Sequence, residues 1–323
     1  RIGAVLTGDK HDIGCGPPVT AMLIQNTNPM VVAPEHNIVR QGFAREDLFV
    51  CVHEQFMTET AEVADLVLPA TTFLEHDDLY SGGGHSYIQL GLQAIEPLAE
   101  ARSNHSVICS LAKRLGAEHP GFIMSARELI DMTLRDSGWP EVADWDDNWI
   151  DCAPDFDTAH FVRGFPHADG KFHFAPRWED LGPDAAFMPQ LPDHQEVIEE
   201  VDTDHPLRLV TAPARSYLNS SFTETPTSVM REVRPKVMIH PDTAAGLGIA
   251  DDDLVVLGNK RGQVKVHACL FSGLQSDVVV VEGIWPNKAF VDSIGINALT
   301  GADSPPPNGG AAFHDTAIWL KTA

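Results

Sequence analysis

Two apolar runs joined by a short capped turn constrain this chain more than any other stretch. Leu48-Phe-Val-Cys-Val52 has the length and composition of a buried strand. Polar His53, Glu54 and Gln55 follow, where a strand's carboxyl end meets a loop. Thr58-Glu-Thr-Ala-Glu-Val-Ala64 then reads as a short helix with a hydroxyl cap and an acidic first turn. Asp65 leads into a second apolar run, Leu66-Val-Leu68, closed by Pro69. Strand, loop, short helix and strand in that order suit an open parallel sheet, whose ligands sit in the loops at strand carboxyl ends. On the residues alone, a capped helix between two core strands with no ligand is an equal reading.

At 323 residues there is room for about two domains and a proper core. A formal charge of −24 argues against nucleic acid or an anionic membrane as partner. No apolar run approaches the ~18–20 residues needed to span a bilayer. Cys15, Cys51, Cys109, Cys152 and Cys269 lack any C-x-x-C spacing, which points to reduced thiols in a cytoplasmic protein and against a cysteine-held iron–sulfur cluster in this chain. The fifteen histidines are dispersed without H-E-x-x-H, so no metal ligand is assigned.

Along the chain, Arg1–Pro18 reads as loop, Val19–Ile24 as a buried strand ending in Gln25-Asn-Thr-Asn-Pro29, and Asn37–Phe43 as a short helix. Ser81-Gly-Gly-Gly84-His85 is not a phosphate-binding P-loop, because no Gly-Lys-Ser/Thr follows. Helical periodicity runs over Asn104–Leu115 and stops at Gly116, and Ser125-x-x-Glu128 is a capping box for Ala126–Leu134. From Asp136 to about His205 little periodicity is left, apart from Gly170-Lys-Phe-His-Phe174, which alternates as one short strand. The acidic joint Asp193–His205 marks the domain boundary, giving an α/β domain over 1–195 and a β-rich domain over 196–323. Strands are expected at Leu207–Thr211, from Val237, and over Asp253–Gly258, Gln263–Leu270 and Asp277–Glu282, with a small-residue helix turn before Ile249. Such short strands with small connectors suggest a closed barrel.

Glu54–Pro69, with Glu75-His76 just after, resembles the third domain of the molybdopterin-dependent oxidoreductases, the dimethyl sulfoxide reductase and formate dehydrogenase superfamily. The pattern is an acidic residue after a strand, a Thr-x-Thr-Ala turn, then Ala-Asp-hydrophobic-hydrophobic-Leu-Pro. The resemblance implies that this loop holds the guanosine end of one pterin guanine dinucleotide. Glu54 would accept from ribose hydroxyls, Thr58 would meet phosphate, and Asp65 would accept from the guanine ring N–H and amino group. Asn28 and Pro29, a strand followed by Asn-Pro, would face the same dinucleotide, while Glu75 and His85 would lie in the pocket near the substrate funnel. Downstream, His240-Pro-Asp-x-Ala-x-x-Leu-Gly-Ile249, Asp253-Leu-Val-Val and Arg261-Gly262 resemble the fourth domain of that superfamily, a double-psi barrel. Trp285, Asn297-Ala-Leu-Thr300 and Gly309–Ala317 extend the match. By motif position Thr211, Arg215, Asn219, Asn297 and Thr300 would pack on the pterins, with Arg215 reading phosphate through its planar fork. His314 stands where many members carry a basic residue and is assigned no role.

The match implies the C-terminal portion of a molybdenum or tungsten bis-molybdopterin guanine dinucleotide oxidoreductase, inactive by itself. The metal, its protein ligand and any iron–sulfur cluster would belong to an N-terminal portion of the same enzyme, with an electron-transfer subunit as a further partner. Arg1 reads as a cut edge, which leaves a periplasmic location open. Cys15 does not match the family's ligand position. Two other readings stand: a non-catalytic relative such as the large iron–sulfur subunit of respiratory complex I, and an unrelated α/β nucleotide-binding enzyme with a barrel appended.

Overall fold

The structure, a computed structural model, describes residues 1–175, 177–178, 188–189, 191, 193, 199–303, 312 and 314–323. These fall into two compact units, one comprising Arg1–Val52, Phe56–Leu66 and Ala175–Ala323, the other His53–Gln55 and Val67–Phe174. The expected boundary at 195/196 lies outside the described residues.

The first unit opens on helices, Ile2–Thr7 and Lys10–Ile13, where the sequence suggested a loop. Six residues are too few to display a period, but Ala4 and Leu6 are buried and Gly8 ends the first helix at φ 82°. This helix packs on a second, His36–Phe43, so closely that a Cβ on Gly3 would stand 2.8 Å from Val39 N. Strand β1 (Ala21–Gln25) precedes it, and β2 (Phe49–Glu54) and β3 (Leu66–Pro69), whose residues from His53 and from Val67 on are counted with the second unit, follow in the sheet order β1-β2-β3. Asp65 N donates to Val50 O at 2.9 Å and Ala70 N to Glu54 O at 3.0 Å. Both partners climb in the same direction, which is the mark of a parallel pair. The connecting helix is only Glu59–Glu62, capped by Thr58, whose hydroxyl accepts from Ala61 N at 3.3 Å.

In the second unit, β4 (Asp78–Ser81), β5 (Tyr87–Gly91) and β6 (Trp149–Asp151) form an antiparallel sheet. The helix Asn104–Leu115 ends at Gly116 in the left-handed region, and Ser125 and Glu128 cap Ala126–Asp136 reciprocally, as their spacing predicts. Leu90, Ile130, Leu134 and Val142 make the core. The expected strand Gly170–Phe174 does not form. Gly170 takes φ 67°, and the Asp169 carboxylate accepts from Lys171 N at 3.1 Å and meets the His173 ring at 3.1 Å, so a local turn replaces the ladder.

The remaining strands close a barrel within the first unit. They are β7 (Leu207–Ala212), β8 (Lys236–Ile239), β9 (Leu254–Asn259), β10 (Gly262–Leu270), β11 (Val278–Glu282) and β12 (Thr316–Thr322). Their cyclic order is β10-β8-β11-β7-β12-β9, with β10–β8 and β11–β7 parallel and the other pairs antiparallel. Alternate residues point inward, so Leu209, Ile239, Leu257, Val266, Val279 and Ile318 fill the interior. The five strands foreseen are present to within two residues at each end. The sixth, β12, was not foreseen, although Thr316 to Leu320 is almost wholly buried between β7 and β9.

Candidate functional site

In the first unit the turn after β1 carries the best-defined polar arrangement. Asn28 is 9% exposed and Thr60 is fully buried. The Thr60 hydroxyl donates to Asn28 Oδ1 at 2.7 Å and accepts from Met30 N at 3.1 Å. Asn28 Nδ2 has no hydrogen-bond partner among the described residues. Among the described residues the only buried, unpartnered side-chain polar atom is His36 Nδ1, so the Asn28 amide nitrogen is reached from solvent. Pro29 is buried and begins the turn Pro29–Val32.

A buried asparagine that the sequence did not single out holds this turn from behind. Asn287 donates to Met30 O at 2.7 Å and to the Glu59 carboxylate at 2.5 Å, and accepts from Gly295 N at 2.8 Å. Glu59 also accepts from Lys288 N at 3.3 Å. Gly295 must lack a side chain, since a Cβ there would run into Asn287 Oδ1. Asn297 and Thr300 belong to the same lacing. Asn297 donates to Val31 O at 2.9 Å and accepts from the Thr300 hydroxyl at 2.9 Å, while Thr300 O accepts from Glu35 N at 3.0 Å. The guanidinium of Arg261 completes it with ion pairs to Glu199 and, at 3.9 Å, Glu35, and with a 3.3 Å bond to Leu299 O. Asn28, Asn297 and Thr300 are thus gathered into one network, and the last two spend their polar groups on it.

The other expected residues of this unit are arranged differently. The Thr58 hydroxyl serves as helix cap. Asp65 is exposed; Oδ2 accepts from Val50 N at 2.7 Å and Oδ1 has no hydrogen-bond partner among the described residues. Thr211 is buried at the end of β7, where its carbonyl lies 2.8 Å and its hydroxyl 3.4 Å from His314 Nδ1. The carbonyl can only accept, so Nδ1 carries the proton. Arg215 is exposed in the loop after β7 and pairs with no carboxylate among the described residues, and Asn219 occupies a left-handed turn at φ 51°.

The second unit holds Glu54, Glu75 and His85. Glu54 is half-buried and accepts from Gln55 N at 2.7 Å through one oxygen. Glu75 is buried, and its carboxylate accepts from Thr72 N at 2.6 Å, the Thr72 hydroxyl at 2.9 Å and Leu98 N at 2.6 Å. Those donors hold its carboxyl below the ordinary carboxylate range. Glu75 therefore organises a loop. His85 is exposed, accepts from Tyr87 N at 3.1 Å and lies against the Tyr87 ring.

The profile of the molybdopterin oxidoreductases matches residues 14–114, and that of the molydopterin dinucleotide binding domain matches residues 207–317, the span of the barrel up to the start of β12. The chain belongs to the molybdopterin oxidoreductases of the dimethyl sulfoxide reductase superfamily. Curated members similar to it include the probable oxidoreductase YoaE of Bacillus subtilis, 34% identical over 94% of this chain and 44% of the relative. Another is the trimethylamine-N-oxide reductase of Haemophilus influenzae, 28% identical over 85% of this chain and 37% of the relative. Among solved structures, acetylene hydratase from Pelobacter acetylenicus superposes with a TM-score of 0.77 at 19% identity, covering 99% of this chain and 46% of that one, a likeness of fold. The chain spans less than half the length of these relatives.

Within this family the group to be held is a pterin dinucleotide, and the open positions of the first unit suit one in kind. Asn28 offers a donor, Arg215 a cation and Asp65 an acceptor, none of them spent on a protein partner at the atom concerned. Thr60 and Asn287, which shape the turn, escaped the sequence reading. Thr60 was visible as the second threonine of Thr-x-Thr-Ala, but two residues from the cap it reads as helix interior. Asn287 follows Trp285-Pro286 with no pattern to mark it.

Proposed function

We propose that this chain is the C-terminal, dinucleotide-gripping portion of a molybdenum or tungsten bis-molybdopterin guanine dinucleotide oxidoreductase. The observation that carries the reading is the coincidence of the dinucleotide-binding profile with the closed barrel and with an exposed Arg215, unpaired among the described residues, in the loop after its first strand. In a chain of net charge −24, a guanidinium kept clear of carboxylates is suited to an anion brought from outside. The two parallel pairs within the barrel support the double-psi form of the fold. Asn28, Pro29, Glu54, Thr58, Asp65, Thr211, Arg215, Asn219, Asn297 and Thr300 remain the proposed cofactor residues, and six of them divide between two roles. Asn28, Glu54, Asp65 and Arg215 have an open polar atom or charge for the ligand, whereas Asn297 and Thr300 hold the turn that presents Asn28.

The bound metal would supply two-electron chemistry, and the protein would supply orientation and electrostatics. Polypeptide outside these 323 residues would hold the metal and any iron–sulfur cluster, with an electron-transfer subunit as partner. Five free thiols support a reducing, cytoplasmic location. Among the described residues no helix is long and apolar enough to cross a membrane.

Acid release of nucleotide from the purified full-length protein, with metal analysis of the same sample, tests the reading. GMP in proportion to molybdenum or tungsten is expected. Release of AMP in its place would overturn it, and absence of both metals would favour a non-catalytic relative.

A further inference from the structure

We infer that Thr60 fixes Asn28 as a hydrogen-bond donor toward the bound nucleotide, so that Asn28 donates to an oxygen of the ligand and rejects a ligand N–H. This rests on the nucleotide-binding reading above and adds the polarity of one contact and the residue that sets it.

The argument turns on where one proton can go. Met30 N can only donate, so the 3.1 Å contact makes the Thr60 oxygen an acceptor there. Thr60 is fully buried, and the acceptor within reach of its hydroxyl proton is Asn28 Oδ1 at 2.7 Å. With the Asn28 amide turned over, two donors would meet and a buried hydroxyl proton would have no acceptor, an arrangement native interiors avoid. The amide oxygen is therefore held inward and the NH2 outward, where it has no partner among the described residues and is reached from solvent. The turn cannot swing to compensate, because Asn287 holds Met30 O at 2.7 Å and Asn297 holds Val31 O at 2.9 Å. A phosphate oxygen and the carbonyl of guanine are both acceptors that suit such a donor.

Calorimetric titration of cofactor-free full-length protein with GDP, ADP and guanosine tests this. Asn28→Asp keeps the acceptor for Thr60 and removes the outward donor, and should weaken GDP binding roughly tenfold or more. Thr60→Val should weaken it by about three- to tenfold, and Thr60→Ser should restore it to within about twofold of the wild type. If Asn28→Asp penalises GDP and ADP alike, the partner is phosphate; if it penalises GDP and guanosine but spares ADP, the partner is the base carbonyl. Wild-type affinity in Asn28→Asp, or equal affinities in the Thr60→Val and Thr60→Ser proteins, would overturn the inference alone. Failure of the wild type to bind GDP would overturn the nucleotide reading, and the inference with it, before any variant is compared.

Discussion

Asn287 donates to the Glu59 carboxylate at 2.5 Å although the two residues are 228 positions apart in sequence. The same amide holds Met30 O and Gly295 N, so one buried side chain ties together three segments that meet only in the folded chain.

Replacing that amide by a carboxylate should be costly in a pH-dependent way. Asn287→Asp keeps the shape but sets two carboxylates against each other and strips Met30 O of its donor. A loss of about 2–4 kcal/mol is expected at pH 7. Urea denaturation checks it, and part of the loss should be recovered near pH 4.5, where the pair can share a proton. An equal loss at both pH values would show that charge is not the cause.

His36 gives an acid-sensitive limb of the stability curve. It is 1% exposed, and burial, with Arg40 contributing, lowers its pKa from the ordinary 6.5 to about 4. Below pH 6.5 the unfolded chain takes up a proton that the folded chain refuses. The contribution is therefore complete above pH 6.5, is lost as pH falls toward 4, and amounts to about 3 kcal/mol across that window. Glu75 acts in a lower window, because its depressed carboxyl costs stability only as pH falls below the ordinary value of 4.5. In His36→Leu the slope between pH 6.5 and 5 should flatten while the loss below 4.5 persists, as read from denaturation midpoints; an unchanged upper slope would refute the assignment.

Arg215 should separate binding from stability. It is exposed and without an ion pair among the described residues, so Arg215→Gln is expected to leave the melting midpoint within about 1 °C, as surface substitutions away from partners do. GDP affinity should fall by about 10- to 100-fold, and Arg215→Lys should recover only part of it. Titration calorimetry and a thermal melt on one preparation read both quantities.

Asp65 should govern the choice of base. Asp65→Asn retains an oxygen for Val50 N but replaces the open carboxylate oxygen by an amide donor. The preference for GDP over ADP should drop by at least about tenfold, mainly through weaker GDP binding. Unchanged preference in a competition titration would remove Asp65 from base recognition.

Local chemistry was legible in the sequence wherever one short segment decides the outcome. The Ser125–Glu128 box, the stop at Gly116 and the Thr58 cap each need only three or four residues to declare themselves, and each is present. Five of the six barrel strands were readable because apolar residues recur in short runs between turn residues, whereas β12 went unread although it is seven residues long. The Ile2–Thr7 helix was not, being too short to show a period, and the Gly170–Phe174 alternation misled because no neighbouring strand pairs with it. At the site, position in a motif gave residue types but not where their hydrogen bonds go. Asn297 spends its side chain on Val31 O and the Thr300 hydroxyl, and Thr300 O accepts from Glu35 N, partners that no motif position announces. The Asn287–Glu59 tie lies between segments too far apart for any local pattern to reveal.

The lacing of residues 28–60 to residues 287–300 has a consequence during synthesis. Met30 and Glu59 are made long before Asn287 exists, and at ~5–20 residues per second the delay is roughly 10–50 s. Over that interval the early turn carries carbonyls and a carboxylate whose anchors are still untranslated. The nascent protein would therefore be guarded by chaperones rather than by its own contacts, and a stop codon placed shortly before Asn287 should yield a product that is degraded rather than merely inactive.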